Sequence, residues 1–240
     1  ASAVPRFLSW SALLSRPSES LRHSLLCVTI RASLIDLGGL HNMKLIFLGA
    51  PGAGKGTQAE IIAAELKIPT ISTGNIIREA LANGTDMGLK AKSFIEAGKL
   101  VPDDVIVNIV KERLSKPDCA KGFILDGFPR TIPQAEMFTQ ICSDVTVVNF
   151  QIADEAVIKR LSTRRVCKNC GANFNVLTLP PKQEGVCDHC NGELFQRDDD
   201  KQESILHRME VYREQTEPLI NFYREKDKSQ MLTVQQKQVF

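Results

Sequence analysis

The chain has 240 residues, 43% hydrophobic and 24% charged, enough for one globular unit with a sizeable core and small inserted subdomains. A net charge of +2 offers no single-sign field to hold nucleic acid or an anionic membrane surface. No apolar run approaches the roughly 20 residues that span a bilayer. Of seven cysteines, Cys27, Cys119 and Cys142 are scattered singly and four form two CxxC pairs. That pattern points to a reducing compartment and one metal site, and argues against a disulfide framework.

Residues 1–42 are Ser-rich, carry Arg6, Arg16, Arg22 and Arg31 but no Lys, and have only Glu19 and Asp36 as acids. The composition resembles an organellar transit peptide, though a leader or upstream sequence ahead of Met43 is the preferred reading. Either way the segment is expected to be disordered and outside the fold.

From Met43 the pattern changes. Residues 44–48 (KLIFL) read as a buried strand running into a Gly-rich stretch, and residues 58–66 follow with Ile61, Ile62 and Leu66 at helical spacing. Strand, glycine loop and helix open an α/β nucleotide-binding domain. Residues 103–114 read as a helix with Val105, Ile106, Ile109, Val110 and Leu114 on one face; residues 123–125 and 145–150 read as further buried strands. This alternation predicts a parallel central sheet covered on both faces, a three-layer α/β fold. Residues 204–223 read as a long charged helix with a kink or break at Pro218, and residues 231–234 as the last strand.

The glycine loop reads Gly49-Ala50-Pro51-Gly52-Ala53-Gly54-Lys55-Gly56-Thr57. Glycines let the backbone aim its N–H groups at phosphate oxygens, and the next helix adds the positive end of its dipole. Lys55 can reach the β and γ phosphates, and Thr57 offers a hydroxyl to Mg²⁺. Two paired CxxC turns, Cys167/Cys170 and Cys187/Cys190, stand sixteen residues apart. Four thiolates complete a closed tetrahedron, which predicts a structural Zn²⁺. His189 is a conceivable ligand, but Cys190 repeats the spacing of the first pair; a disulfide is the competing reading.

The GxPGxGKGT form of the loop, with Gly56 between Lys55 and Thr57, resembles the nucleoside monophosphate kinases more than the GTPases. Residues 72–78 (STGNIIR) are similar to the adenylate kinase segment that grips AMP, residues 98–102 (GKLVP) to its companion, and residues 122–130 (GFILDGFPR) to the family signature, with Gln134 following. The resemblance runs from about Met43 to the C-terminal end. It implies a P-loop fold with an inserted AMP-binding helical segment (72–101), a zinc-binding lid (163–200) and a core of residues 43–71, 102–162 and 201–240.

The resemblance also implies roles. ATP would meet Gly52, Ala53, Gly54, Lys55, Gly56, Thr57, Arg160, Arg164, Asn173, Phe174 and Gln236. AMP would meet Thr73, Arg78, Lys99, Leu100, Val101, Gly127, Phe128, Pro129, Arg130, Gln134, Arg197 and Arg208. Lys55, Asp126, Arg130, Arg164, Arg197 and Arg208 would serve catalysis, with Asp199 and Asp200 orienting arginines. The chemistry suits these residues: arginine forks capture phosphate, a Gln side chain matches the Watson–Crick edge of adenine, and a strand-end carboxylate can organise Mg²⁺.

Asn75 stands where many relatives carry Asp, and relatives continue past the last strand into another helix. The implied reaction is Mg·ATP + AMP ⇌ 2 ADP in a cytoplasmic monomer with no nucleic-acid or membrane partner; a true transit peptide would place it in an organelle matrix. The competing functions are a UMP, CMP or GMP kinase, a non-catalytic nucleotide-binding zinc protein, and a P-loop nucleic-acid enzyme, the last disfavoured by near-neutral charge.

Overall fold

The computed structural model describes residues 30, 42–82, 84, 94, 101–226 and 231–235. In chain order, strand β1 (Lys44–Gly49) leads into helix α1 (Lys55–Leu66), then β2 (Thr70–Ser72) and α2 (Thr73–Ala82). Next come α3 (Asp103–Leu114), β3 (Phe123–Asp126), α4 (Ile132–Ile141), β4 (Thr146–Gln151) and α5 (Asp154–Ser162). Short strands β5 (Arg164–Cys167), β6 (Asn173–Asn175) and β7 (Leu194–Phe195) precede α6 (Gln202–Val211), α7 (Pro218–Lys226) and β8 (Met231–Gln235).

The larger sheet has the order β2-β3-β1-β4-β8, and every pairing is parallel. Its strands are continuous apolar runs because both faces are covered. Alternate residues go to opposite sides. Ile46, Leu48, Leu125 and Val147 join Ile106 and Val110 of α3, Phe138 of α4 and Leu219 of α7. Leu45, Phe47, Ile124, Val148 and Phe150 join Ala59 and Ile62 of α1. The predicted three-layer α/β fold is therefore present. Since β1 lies between β3 and β4, the loop leaving its C-terminal end opens at the point where the strand order reverses, the usual ligand crevice of such sheets.

Local signals explain the helices. In α3, Asp103 and Asp104 occupy the first turn, Lys111 and Arg113 the last, each complementing the helix dipole. In α4, Thr131 caps the start by accepting from the Gln134 backbone N–H at 3.3 Å. The helix expected over 204–223 is broken, but a turn before Pro218. Residues Tyr212–Thr216 form a π-helical turn, with the Glu217 N–H donating to the Tyr212 carbonyl at 2.8 Å. Pro218 has no N–H to continue the ladder, so α7 starts afresh on it.

Strand β5 pairs antiparallel with β6 and β7, making a separate small sheet whose core is Cys167, Phe174, Cys187 and Leu194. No helix among the described residues is long and apolar enough to cross a membrane.

One residue departs from the expectation that 1–42 lie outside the fold. Ile30 is fully buried in the cluster of Leu45, Phe47, Val148, Phe150 and Val234. On that face α1 packs against β1, β2 and β3. An aspartate at position 30 would bury an unpaired charge, at a cost of about 3 kcal/mol, or about 10 °C for a chain of this size. Ile30→Asp should lower the Tm by that order in a thermal melt; an unchanged Tm would return residue 30 to the outside of the fold.

Candidate active site

The loop after β1 has the geometry of an anion cradle. Gly52 and Gly54 adopt φ of 74° and 80°. Gly52 also packs so close to α5 that a Cβ there would come within 2.9 Å of Leu161 Cγ. Helix α1 starts with no side-chain cap and no acid in its first turn, so its N–H groups and dipole remain for an anion. Lys55 Nζ donates to the carbonyls of Gly49 (2.7 Å) and Ala50 (2.8 Å), spanning the loop. Burial pulls its pKa down to about 8; Asp126 opposes this, while Arg130, Arg208 and Arg164 add to it. At Gly56 an added Cβ would lie 3.4 Å from Asp126 Oδ2, an ordinary contact, so the carboxylate at the end of β3 lies close to the start of α1.

The residues expected to meet AMP form a second hydrogen-bonded group. Thr73, 2% exposed, donates its hydroxyl to the Gly127 carbonyl at 2.9 Å, and Arg130 Nε donates to the same oxygen at 2.8 Å. Thr216 holds Arg130 from behind, donating to its carbonyl at 2.9 Å. Arg78 Nη2 donates to Asn75 Oδ1, so the asparagine supplies the acceptor that a carboxylate would, without its charge. The Arg78 guanidinium is pushed down to about 10, first by loss of water and then by Arg197. Arg130 is lowered too, by desolvation and Arg197, with Asp126 opposing.

The arginines around the lid are braced by two carboxylates. Asp200 is fully buried and takes a bidentate pair from Arg164, Nε to Oδ2 at 2.8 Å and Nη2 to Oδ1 at 2.6 Å. Arg208 Nη1 donates to the Asp199 carbonyl (2.7 Å) and to Asp200 Oδ1 (3.3 Å). Arg197 pairs with Asp199 through Nε (2.7 Å) and Nη2. Burial alone would raise the Asp199 carboxyl; Arg208 and Arg197 outweigh it and hold the group below the usual range. Sequence places these residues on separate segments, and the fold brings Arg164, Arg197, Arg208, Asp199 and Asp200 together.

The four lid cysteines converge. Every Sγ of Cys167, Cys170, Cys187 and Cys190 lies within 4.8 Å of the others, with Cys167–Cys190 at 3.4 Å and Cys170–Cys187 at 3.6 Å. These separations far exceed a disulfide bond and suit thiolates around one tetrahedral ion, whose edges would be about 3.8 Å. All four are free thiols. His189 is outside the cluster; its ring lies 5.9 Å from that of Phe174.

The remaining expected contacts sit in varied surroundings. The Phe174 ring is 6% exposed and packs in the lid's own core with Cys167, Cys187 and Leu194. Phe128 and Val101 likewise point into the main core, because the strand and helix ends they occupy need apolar anchors there. Pro129 is buried and follows a cis peptide, while Gly127 is only partly covered. Asn173 is exposed on β6. Arg160 is on α5, and its carbonyl accepts from Asn175 Nδ2 at 3.0 Å, tying the lid to its base. Lys99, Leu100 and Gln236 lie outside the described residues.

Sequence reasoning missed Asp103. Gln134, 2% exposed, donates from Nε2 to Asp103 Oδ1 at 2.7 Å, and its Oε1 accepts from the Arg130 backbone N–H at 2.8 Å. Thr131 Oγ1 donates to the same Asp103 oxygen at 3.0 Å. In sequence Asp103 reads only as a first-turn acid, and nothing local signals a partner 31 positions away.

A parallel sheet with a phosphate loop at its reversal point, and a set of arginines within electrostatic range of that loop's lysine, fits a P-loop protein of the nucleoside monophosphate kinase class. The sequence profile of the adenylate kinase family matches residues 47–228. Curated relatives named adenylate kinase include one from Caldicellulosiruptor bescii, 54% identical across 77% of this chain and 88% of its own. Another, from Archaeoglobus fulgidus, is 53% identical over 77% and 87%. A third, from Acetivibrio thermocellus, is 53% identical over 80% and 90%. The chain belongs to the adenylate kinase family.

The lowered Lys55 pKa has a measurable consequence. Only the ammonium form pairs with phosphate, and in the free protein it is lost near pH 8. In a pH series, kcat/KM for the triphosphate substrate should hold below pH 8 and decline above it. A profile flat well into the alkaline range would contradict this environment for Lys55.

Proposed function

We propose that the protein transfers the terminal phosphoryl group of Mg·ATP to AMP, reversibly, giving two ADP. The observation that carries this reading is that Lys55 lies within electrostatic range of Arg130, Arg164 and Arg208, and Arg78 within range of Arg130, Arg164 and Arg197. Such a site can hold two phosphorylated ligands at once. Phosphoryl transfer needs positioning, charge neutralisation and water exclusion more than a protein base. The P-loop residues Gly52–Thr57, with Arg160, Arg164, Asn173, Phe174 and Gln236, are assigned to ATP. Thr73, Arg78, residues 99–101, Gly127–Arg130 and Gln134 are assigned to AMP, with Arg197 and Arg208 between them.

Thr57 and Asp126 supply hard oxygen donors of the kind Mg²⁺ prefers, where the ion would neutralise phosphate charge. The Cys167, Cys170, Cys187 and Cys190 set fits a structural Zn²⁺, with no open position for water. The proposed units are a core of 43–71, 102–162 and 201–240, an AMP-binding segment of 72–101 and a lid of 163–200. The free thiols favour a reducing compartment such as the cytoplasm, and we assign a monomer.

A coupled ADP assay across AMP, UMP, CMP and GMP tests the reading. AMP should be the preferred acceptor; faster turnover of another monophosphate would move the assignment to that nucleotide. Absence of ADP formation with any of them would favour a non-catalytic nucleotide binder. Lys55→Ala and Arg130→Ala should each lower turnover by on the order of 10²-fold. Wild-type-like rates in either would remove that residue from the machinery.

For the metal, Cys167→Ser should lower the Tm by about 10 °C or more while turnover at low temperature changes little. Equal loss of both would indicate an ion that takes part in the chemistry.

A further inference from the structure

The side chain of Gln134 is fixed at both ends before any ligand arrives. A carboxylate such as Asp103 can only accept, and a backbone N–H such as that of Arg130 can only donate. With Nε2 on Asp103 Oδ1 at 2.7 Å and Oε1 on the Arg130 N–H at 2.8 Å, the amide has one permitted orientation. Flipping it would set an oxygen against the carboxylate and an NH₂ against the N–H, two repulsive contacts in a side chain only 2% exposed. Thr131 strengthens the arrangement from its own side. Its hydroxyl hydrogen goes to Asp103 at 3.0 Å, and its lone pair accepts the Gln134 backbone N–H at 3.3 Å.

Each end of the amide keeps one bonding capacity in hand: one N–H on Nε2 and one lone pair on Oε1. An adenine edge presents an acceptor at N1 and a donor at the 6-amino group, which match that pair in that order. A 6-oxopurine presents the reverse, a donor at N1 and an acceptor at O6, and matches only the forbidden flip.

We propose that Asp103 is a positioning residue that, with the Arg130 backbone N–H, locks the Gln134 amide in the orientation that selects a 6-aminopurine over a 6-oxopurine monophosphate. This rests on Gln134 meeting the acceptor base, as assigned under the proposed function.

The test compares AMP with IMP as acceptors in wild type, Asp103→Ala, Asp103→Asn and Gln134→Ala, with Tm measured for each. Losing one hydrogen bond to a charged acceptor corresponds to about a tenfold change. Asp103→Ala should raise KM for AMP about tenfold and lower the AMP-to-IMP ratio of kcat/KM by a similar factor, with kcat and KM for ATP changed less than about twofold. Asp103→Asn keeps an acceptor oxygen and should recover most of the ratio. If Asp103→Ala lowers AMP and IMP turnover in parallel, at an unchanged ratio, Asp103 merely supports the helix start and the proposal is overturned. If Gln134→Ala raises KM for AMP while both Asp103 variants leave the ratio intact, Gln134 reads the base without Asp103. If Gln134→Ala leaves KM for AMP unchanged, the base-reading assignment itself fails and the proposal with it.

Discussion

The burial of cations organises this molecule. Lys55, Arg78, Arg130 and Arg208 all lose proton affinity, first because burial strips their water and then through neighbouring cations that include Arg164 and Arg197, with Asp126, Asp199 and Asp200 opposing. Like charges at such range are unfavourable unless scaffolding holds them, and the parallel sheet and the buried Asp200 provide it. The remaining positive charge is relieved only by an anion. Phosphates shared between two nucleotides suit it better than one compact ion, because the guanidinium forks are distributed around the opening.

The bracing explains how the lid relates to the chemistry. Arg164 opens β5, the strand that ends in Cys167, and its guanidinium is clamped by Asp200 on the returning chain. The cysteine cluster stiffens the far end of the small sheet while the Asp200 clamp orients the near end. Arg164, Arg197 and Arg208 are thereby held relative to one another through Asp199 and Asp200. Removing the Asp200 carboxylate would leave Arg164 partly buried without its partner, a more disruptive change than loss of a surface pair.

Much of the fold was legible because its signals are local. The strand at 44–49, the glycine loop and helix 103–114 each announce themselves through periodicity and end residues. What local pattern could not show was where a buried ring would turn. The Phe174 ring turns into the core of the small lid sheet, because so small a unit must bury its few apolar side chains together. Ile30 was misplaced for the converse reason: its surrounding composition reads as unstructured, while an apolar sheet face elsewhere in the chain buries it. The helix break before Pro218 came a turn early, since a missing N–H is felt at the carbonyl it would have engaged.

By itself the sequence determined the phosphate loop and the metal-type cysteine spacing, because residue type and spacing carry those chemistries. Tertiary structure alone decided which carboxylate holds which arginine and which way the Gln134 amide faces. Those depend on partners as far apart as Arg164 and Asp200, or Asp103 and Gln134. Hydrogen-bond direction is a property of two groups meeting in space, and no single segment contains both.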